Sequence, residues 1–281
     1  MSKRIDMHLH LSMEHTNEQV LAWVAAKRRE GMIKALLIGP APQDREAAHA
    51  RLIEVCGISE GFLVPFARVD LTRPSEVDIQ ALFDMGCVGL KFIGPYRDYD
   101  DECFLPIYAR AEELGVPILF HTGILGKGTE EPRGIRGISS ARMRPEFLDT
   151  IARAFPDLIL QGAHLGNPWY EIALEIIRYN RNVYWDICGT TLTKKMTADW
   201  FTRIQWERES RRQFLYGTDE HPVLPEAGTA PHYTTGLEAH ERFLERIGWT
   251  PEEQEGYFWK NACELLQRAY AKQGREFSAG G

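Results

Sequence analysis

The chain has 281 residues, of which 44% are hydrophobic and 26% charged, and its formal net charge is −7. That balance is ordinary for a globular enzyme with a sizeable core, and it leaves no basic surface for nucleic acid or an anionic membrane. No run approaches the ~20 apolar residues that span a bilayer, and the start runs from Met1 into a strand pattern without an apolar leader, so a cytoplasmic protein is expected. The five cysteines (Cys56, Cys87, Cys103, Cys188, Cys263) are odd in number and scattered without a CxxC pair. They read as reduced thiols that fill core, not as disulfides or a zinc-thiolate site.

In chain order, the predicted strands are 4–9 (RIDMHL), 33–39, 62–70, 87–92, 116–122, 158–164, 182–188 and 213–219. Amphipathic stretches lie between them. Residues 17–31 have an Asn start and a Gly stop, and 73–86 open on Ser75 and Asp78, spaced as in a capping box, and also stop at Gly. Residues 100–115 and 169–180 repeat the pattern, the former with Pro106 placed in an opening turn. Eight strand-then-helix units imply parallel strands joined by right-handed crossovers. At this length they suit a (β/α)8 TIM barrel better than an open doubly wound sheet, and no GxGxxG follows the first strand. A single domain over 1–281 is expected, with additional C-terminal helices at 236–247, 251–256 and 258–271.

In a barrel of this kind the site lies at the C-terminal ends of the strands. Those ends carry His8 and His10, Lys91, His121, His164, Asp186 and Asp219. Side chains two apart on a strand share a face, so Asp6, His8 and His10 are expected to point into the barrel, with Met7 and Leu9 outward. Two imidazoles so spaced can share one metal ion, with Asp6 behind them as a hydrogen-bond acceptor. Histidine and carboxylate donors suit Zn²⁺, Mn²⁺ or Fe²⁺. His15, His49, His232 and His240 fall on loops or helix faces without such order, and His221 either lines the rim or fixes the turn before Pro222.

These residues resemble the amidohydrolase superfamily, and more closely its amidohydrolase-2 branch of aminocarboxymuconate semialdehyde decarboxylase-like enzymes. The resemblance covers roughly 3–271 and is carried by DMHLH (6–10), GLKF (89–92), LGVPILFHTG (114–123), FPDLILQGAHLG (155–166), NVYWDICG (182–189) and LYGTDEHP (215–222). It implies His8, His10, His121 and Asp219 as ligands of one divalent ion, most simply Zn²⁺, and His164 as the catalytic histidine beside it. In binuclear relatives a lysine at the end of strand four is carboxylated. The branch generally keeps one metal, so Lys91 is expected to contribute charge to the site or to bind a substrate carboxylate.

A metal held in this way acidifies a water to a pKa of ~7. Asp219 would act as general base, and His164 would steady the developing negative charge. The function implied is hydrolysis of a small ester, lactone or amide, with metal-dependent decarboxylation of a small aromatic or unsaturated acid as the alternative. The long Gly-rich, basic segment 123–145 belongs at the pocket, where Arg136, Arg142 and Arg144 are candidates for clamping a carboxylate and Trp169 for lining the rim, together with Tyr96 and Arg97. The partner expected is a small-molecule substrate, with a homodimer as the common assembly for such barrels.

Overall fold

The computed structural model describes residues 3–41, 45–125, 139–188, 209–224 and 236–279. Arg136 and His232 lie outside them. Eight strands run β1 Arg4–His10, β2 Met32–Ile38, β3 Leu63–Arg68, β4 Gly89–Phe92, β5 Ile118–Phe120, β6 Leu160–Gly162, β7 Val183–Ile187 and β8 Phe214–Tyr216. They pair in parallel in sequence order. The sheet closes where Leu9 bridges Glu220, with the His10 amide donating to the Glu220 carbonyl at 2.8 Å. The fold is therefore the expected TIM barrel.

Among the described residues the helices are α1 Asn17–Arg29, α2 Arg45–Ile58, α3 Ile79–Met85, α4 Leu105–Leu114, α5 Glu146–Ala154, α6 Tyr170–Tyr179, α7 Leu237–Arg246, α8 Pro251–Glu255 and α9 Asn261–Lys272. Their starts differ instructively from the sequence reading. Thr16, not Asn17, caps α1, in a reciprocal capping box with Gln19, because Asn17 is drawn sideways to Glu54 (2.8 Å). Asp78 is the cap of α3, accepting from the Ala81 amide at 3.0 Å, while Pro74–Glu76 form a separate short 3₁₀ turn. Pro106 does sit in the first turn of α4, where no amide is needed. Gly86 and Gly115 end α3 and α4 in the left-handed conformation, which favours glycine.

Two apolar layers result. Leu9, Leu37, Ala67, Leu90, Phe120, Trp185 and Ile187 face the helices. Ile5, Met7, Ile38, Phe66, Leu119 and Leu215 fill the barrel and meet Ala262, Leu265, Leu266 and Ala269 of α9. The chain after α9 is tied to the start of β4, where Gln273 donates to the Val88 carbonyl at 2.8 Å and Arg275 to that of Cys87 at 2.9 Å. The C-terminal helix thus covers the strand starts and leaves the strand ends for the site. No helix among the described residues is long and apolar enough to cross a membrane.

His240, on a helix face and outside the site, lies in the core. It is fully buried, its ring packs 4.7 Å from that of Tyr216, and Nδ1 lies 2.7 Å from the Tyr257 hydroxyl. Burial pushes its pKa down to about 3. Below the free imidazole value of ~6.5 the unfolded chain takes up a proton that the folded chain refuses, which lowers stability by up to about 1.4 kcal/mol per pH unit. The His240→Gln variant should therefore lose less stability than the parent between pH 6.5 and 4.5 in urea unfolding. Parallel losses would contradict this account.

Candidate active site

The first strand does not alternate as its sequence does. Asp6 pairs with Ala35 and Leu9 with Leu37, so three steps on β1 oppose two on β2, the signature of a bulge. The extra residue lets Met7 and His8 both enter the barrel, Met7 joining the interior apolar layer. It turns Asp6 to the other side, among Trp23, Met32 and Tyr216. The expectation that Asp6 faces inward with the histidines is thus corrected. Asp6 instead clasps the bulge, accepting from the amides of His8 (3.0 Å) and Thr218 (3.1 Å) and from the Thr218 hydroxyl (2.7 Å). Burial raises its pKa to about 7 against those hydrogen bonds. The Asp6→Ala variant orphans two buried amides, so a loss of about 2–4 kcal/mol is expected in chemical denaturation. A loss below about 1 kcal/mol would mean that the clasp is dispensable.

The clasp joins the bulge to the end of β8. There Asp219 adopts φ 62°, and its amide donates to the His8 carbonyl at 2.8 Å. Its Oδ1 lies 3.0 Å from His10 Nε2 and 3.4 Å from His8 Nε2, and those two nitrogens are 3.1 Å apart. Lys91 Nζ, fully buried at the end of β4, is 3.3 Å from His8 Nε2. On the opposite wall, the His164 turn after β6 is left-handed at His164, Leu165 and Gly166 (φ 58°, 48° and 64°). Such backbone costs of order 1–3 kcal/mol per non-glycine residue and is characteristic of functional sites. The turn sets the His164 ring centroid 5.2 Å from that of His8 and 4.9 Å from that of His121, with His164 Nδ1 4.0 Å from Asp219 Oδ2.

One carboxylate that the sequence left without a role organises the cluster. Asp186, fully buried on β7, accepts at Oδ2 from His8 Nδ1 (3.0 Å) and Gln161 Nε2 (2.9 Å). At Oδ1 it accepts from the His164 amide (2.8 Å) and the Cys188 thiol (2.8 Å). Burial works to raise its pKa, but the interactions with His8, His164 and Cys188 together outweigh burial and hold it below the usual carboxylate range. Asp186 thereby places the His8 proton on Nδ1 and leaves a lone pair on Nε2. A lone acid inside an otherwise apolar strand was the available signal, as was Gln161 inside LILQG. Cys188 likewise proves to be more than core filler, since Sγ lies 3.3 Å from His8 Nδ1 and 3.2 Å from His164 Nδ1.

The donor set fits a divalent ion. His8, His10 and Asp219 offer ligand atoms within 4.8 Å of one another, and His121, one ring further round, has a buried Nε2 with no hydrogen-bond partner. Burial pushes His10 down to about 3 and also lowers His121 and His164, so these imidazoles are neutral near pH 7. Asp219 is held well below the usual range because His164, His8 and His10 together outweigh its burial. Lys91 falls to about 8, chiefly through burial, against the pull of Asp186 and Asp219.

The rim candidates are engaged with other parts of the chain. Arg142 donates to the Pro95 carbonyl at 3.4 Å, tying the segment after β5 to the one after β4. Arg144 pairs with Glu146 at 2.5 Å and lies 4.9 Å over the ring of Trp169. Arg97 sits 5.6 Å over its neighbour Tyr96. His221, unassigned between two roles, donates from Nδ1 to the His10 carbonyl at 2.7 Å and so fixes the turn. Its ring lies 5.1 Å from that of His15.

Comparison with known proteins agrees with the fold. Residues 5–268 match the protein family described as Amidohydrolase, whereas no curated protein matches the sequence. Among solved structures, an uncharacterised TIM-barrel protein from Bordetella bronchiseptica superposes with a TM-score of 0.68 at 19% identity, covering 95% of this chain and 99% of that one. A probable 2-pyrone-4,6-dicarboxylic acid hydrolase from Acinetobacter baumannii, with citric acid bound, gives 0.60 at 15% identity over 94% and 99%. Dihydroorotase from Saccharomyces cerevisiae, in complex with 5-fluoroorotic acid, gives 0.62 at 15% identity over 95% and 84%.

Proposed function

The chain belongs to the amidohydrolase family, and on that premise we propose that it is a metal-dependent hydrolase of a small carboxylate-bearing ester, lactone or amide. The observation that carries this reading is the convergence of His8 Nε2, His10 Nε2 and Asp219 Oδ1 at separations of 3.0–3.4 Å. Three potential ligand atoms so close together suit a shared cation. His8, His10, His121 and Asp219 would hold one ion, Zn²⁺ in the first instance and Mn²⁺ or Fe²⁺ by the same donor chemistry. When bound, the ion supplies Lewis-acid polarisation and acidifies a water.

The chain's own groups do the rest. Asp219 Oδ2 faces His164 and stays ionised near neutral pH, so it takes a proton from the attacking water and returns it to the leaving group. His164, neutral and held by the hydrogen bond that its backbone N–H donates to Asp186, offers a hydrogen bond where negative charge develops. Lys91 places a cationic donor at the floor of the same space, suited to a substrate carboxylate. The acids in the two neighbouring structures named above, citric and 5-fluoroorotic, fit the same substrate class.

The test couples metal content to turnover. Purified protein should retain about one divalent ion per chain and hydrolyse members of a panel of carboxylated lactones, esters and amides, losing activity on chelation and regaining it with Zn²⁺. Release of CO₂ from aromatic or unsaturated acids without any hydrolysis would replace the hydrolase reading with a decarboxylase. A metal-free protein indifferent to chelation would sink both.

A further inference from the structure

We propose that Arg68, at the end of β3, binds a second carboxylate of the substrate, so that the site selects small dicarboxylates. The inference deepens the hydrolase reading and rests on it for turnover. Arg68 pairs in register with Lys91 of β4, as Phe66 does with Gly89. Phe66 fills the barrel, whereas Ala67 packs towards the helices, and residues two apart on a strand share a face. The Arg68 side chain therefore leaves its strand on the luminal side, next to that of Lys91, from a backbone ~4.8 Å away. That backbone is held from both sides. His49 Nε2 of α2 donates to the Arg68 carbonyl at 3.2 Å, and the following amide, of Val69, donates to the Lys91 carbonyl at 3.2 Å.

The two cations stand at different depths. Lys91 is fully buried, and its Nζ meets His8 Nε2, an imidazole nitrogen and not a carboxylate. Arg68 is half-buried at the mouth. Their charges reach one another: burial is the main cause of the lowered Lys91 pKa, and Arg68 adds to it. Burial likewise raises Tyr99, whose hydroxyl lies 3.0 Å from the His121 carbonyl, and the Arg68 charge pulls it back. A bound substrate closes the mouth over both cations. One carboxylate answers one of them and leaves the other desolvated without a partner, which is costly. Two carboxylates answer both, one at Lys91 and one on the Arg68 fork, whose planar donors match a carboxylate bidentately.

The probes are glutarate and isophthalate, with butyrate and benzoate as their monocarboxylate counterparts. None has a bond for a hydrolase to cut, and each is titrated calorimetrically into protein given one equivalent of Zn²⁺. The dicarboxylates should bind at least about tenfold tighter, the scale of one hydrogen-bonded charge. Arg68→Met should bind both kinds of acid alike, and Arg68→Lys should keep part of the preference. Arg68→Gln takes the place of the methionine variant if that one fails to fold. In turnover, Arg68→Met should raise KM for dicarboxylated compounds at least about tenfold, and by more than it lowers kcat. Counterparts with one carboxylate should show no such rise. A purely structural role for Arg68 would weaken mono- and dicarboxylates equally. That result, or a parent protein without the preference, overturns the proposal. A protein that turns over no ester, lactone or amide yet shows the Arg68-dependent preference defeats the hydrolase reading and upholds dicarboxylate recognition. Hydrolysis of monocarboxylated compounds with no preference does the reverse.

Discussion

Replacing His8 by alanine is expected to lower divalent-ion affinity by more than ~100-fold and hydrolytic activity by at least as much, since even residues one layer behind a ligand cost 10–100-fold. His8 stands at the meeting point of the site. Nε2 is within 3.4 Å of both His10 Nε2 and Asp219 Oδ1, and Nδ1 is committed to Asp186. Removing the ring therefore deletes one donor and frees the carboxylate that held it. Equilibrium dialysis with Zn²⁺ followed by elemental analysis reads the first effect directly. Stoichiometric Zn²⁺ in His8→Ala at the parent's affinity would show that the ion, if any, sits elsewhere.

The Asp186→Asn variant should reach a similar end by a different route. Four donors converge on this carboxylate, two at each oxygen. An amide has one oxygen and an NH₂ group, so at least one pair of those donors must face another donor. The consequences divide. His8 loses the acceptor that holds its proton on Nδ1, which is expected to cost 10–100-fold in metal affinity. The His164 amide loses its partner in a turn that is already strained, so His164 moves off its aim and kcat falls further than affinity. A buried donor left unpaired also costs about 1–3 kcal/mol of stability. Imidazole NMR gives the readout that separates positioning from mere destabilisation. In folded Asp186→Asn the His8 ring should no longer be confined to the Nδ1–H tautomer. An unchanged tautomer together with parent-like metal affinity would remove Asp186 from its proposed role.

The barrel was legible because each strand carried its own local signal within a few residues of its expected place, whereas α2 and α5 were not among the amphipathic stretches singled out. The strand ends were legible for a related reason, since polar residues in apolar runs stand out once the fold says which end matters. His8, His10, His164 and Asp219 were brought together on that ground, with His121 beside them. What escaped was phase. The letters IDMHLH alternate as regularly as any strand, and a bulge adds a residue without leaving a mark in composition, so Asp6 was assigned to the wrong side. Asp186 was visible as a strand-end acid, but its importance lies in contacts with β1, the turn after β6 and Cys188. Those contacts are 22 to 178 residues away along the chain except for Cys188, a separation that no local pattern encodes. Helix caps slipped by one to three residues because Asn17 and Ser75 were outcompeted by Thr16 and Asp78.

The bulge in β1 has a consequence for anyone who would transplant this centre. Copied as five letters onto an idealised, perfectly paired barrel strand, the DxHxH stretch would deliver both imidazoles to the lumen together with an uncompensated acid. It would also send Met7 out of the interior. The native chain carries one residue of slack at that point, and the slack sorts lumen-facing groups from the clasp that anchors them to Thr218. A faithful graft must therefore import a fault in the strand pairing along with its side chains, plus the threonine on the last strand that holds the fault in place.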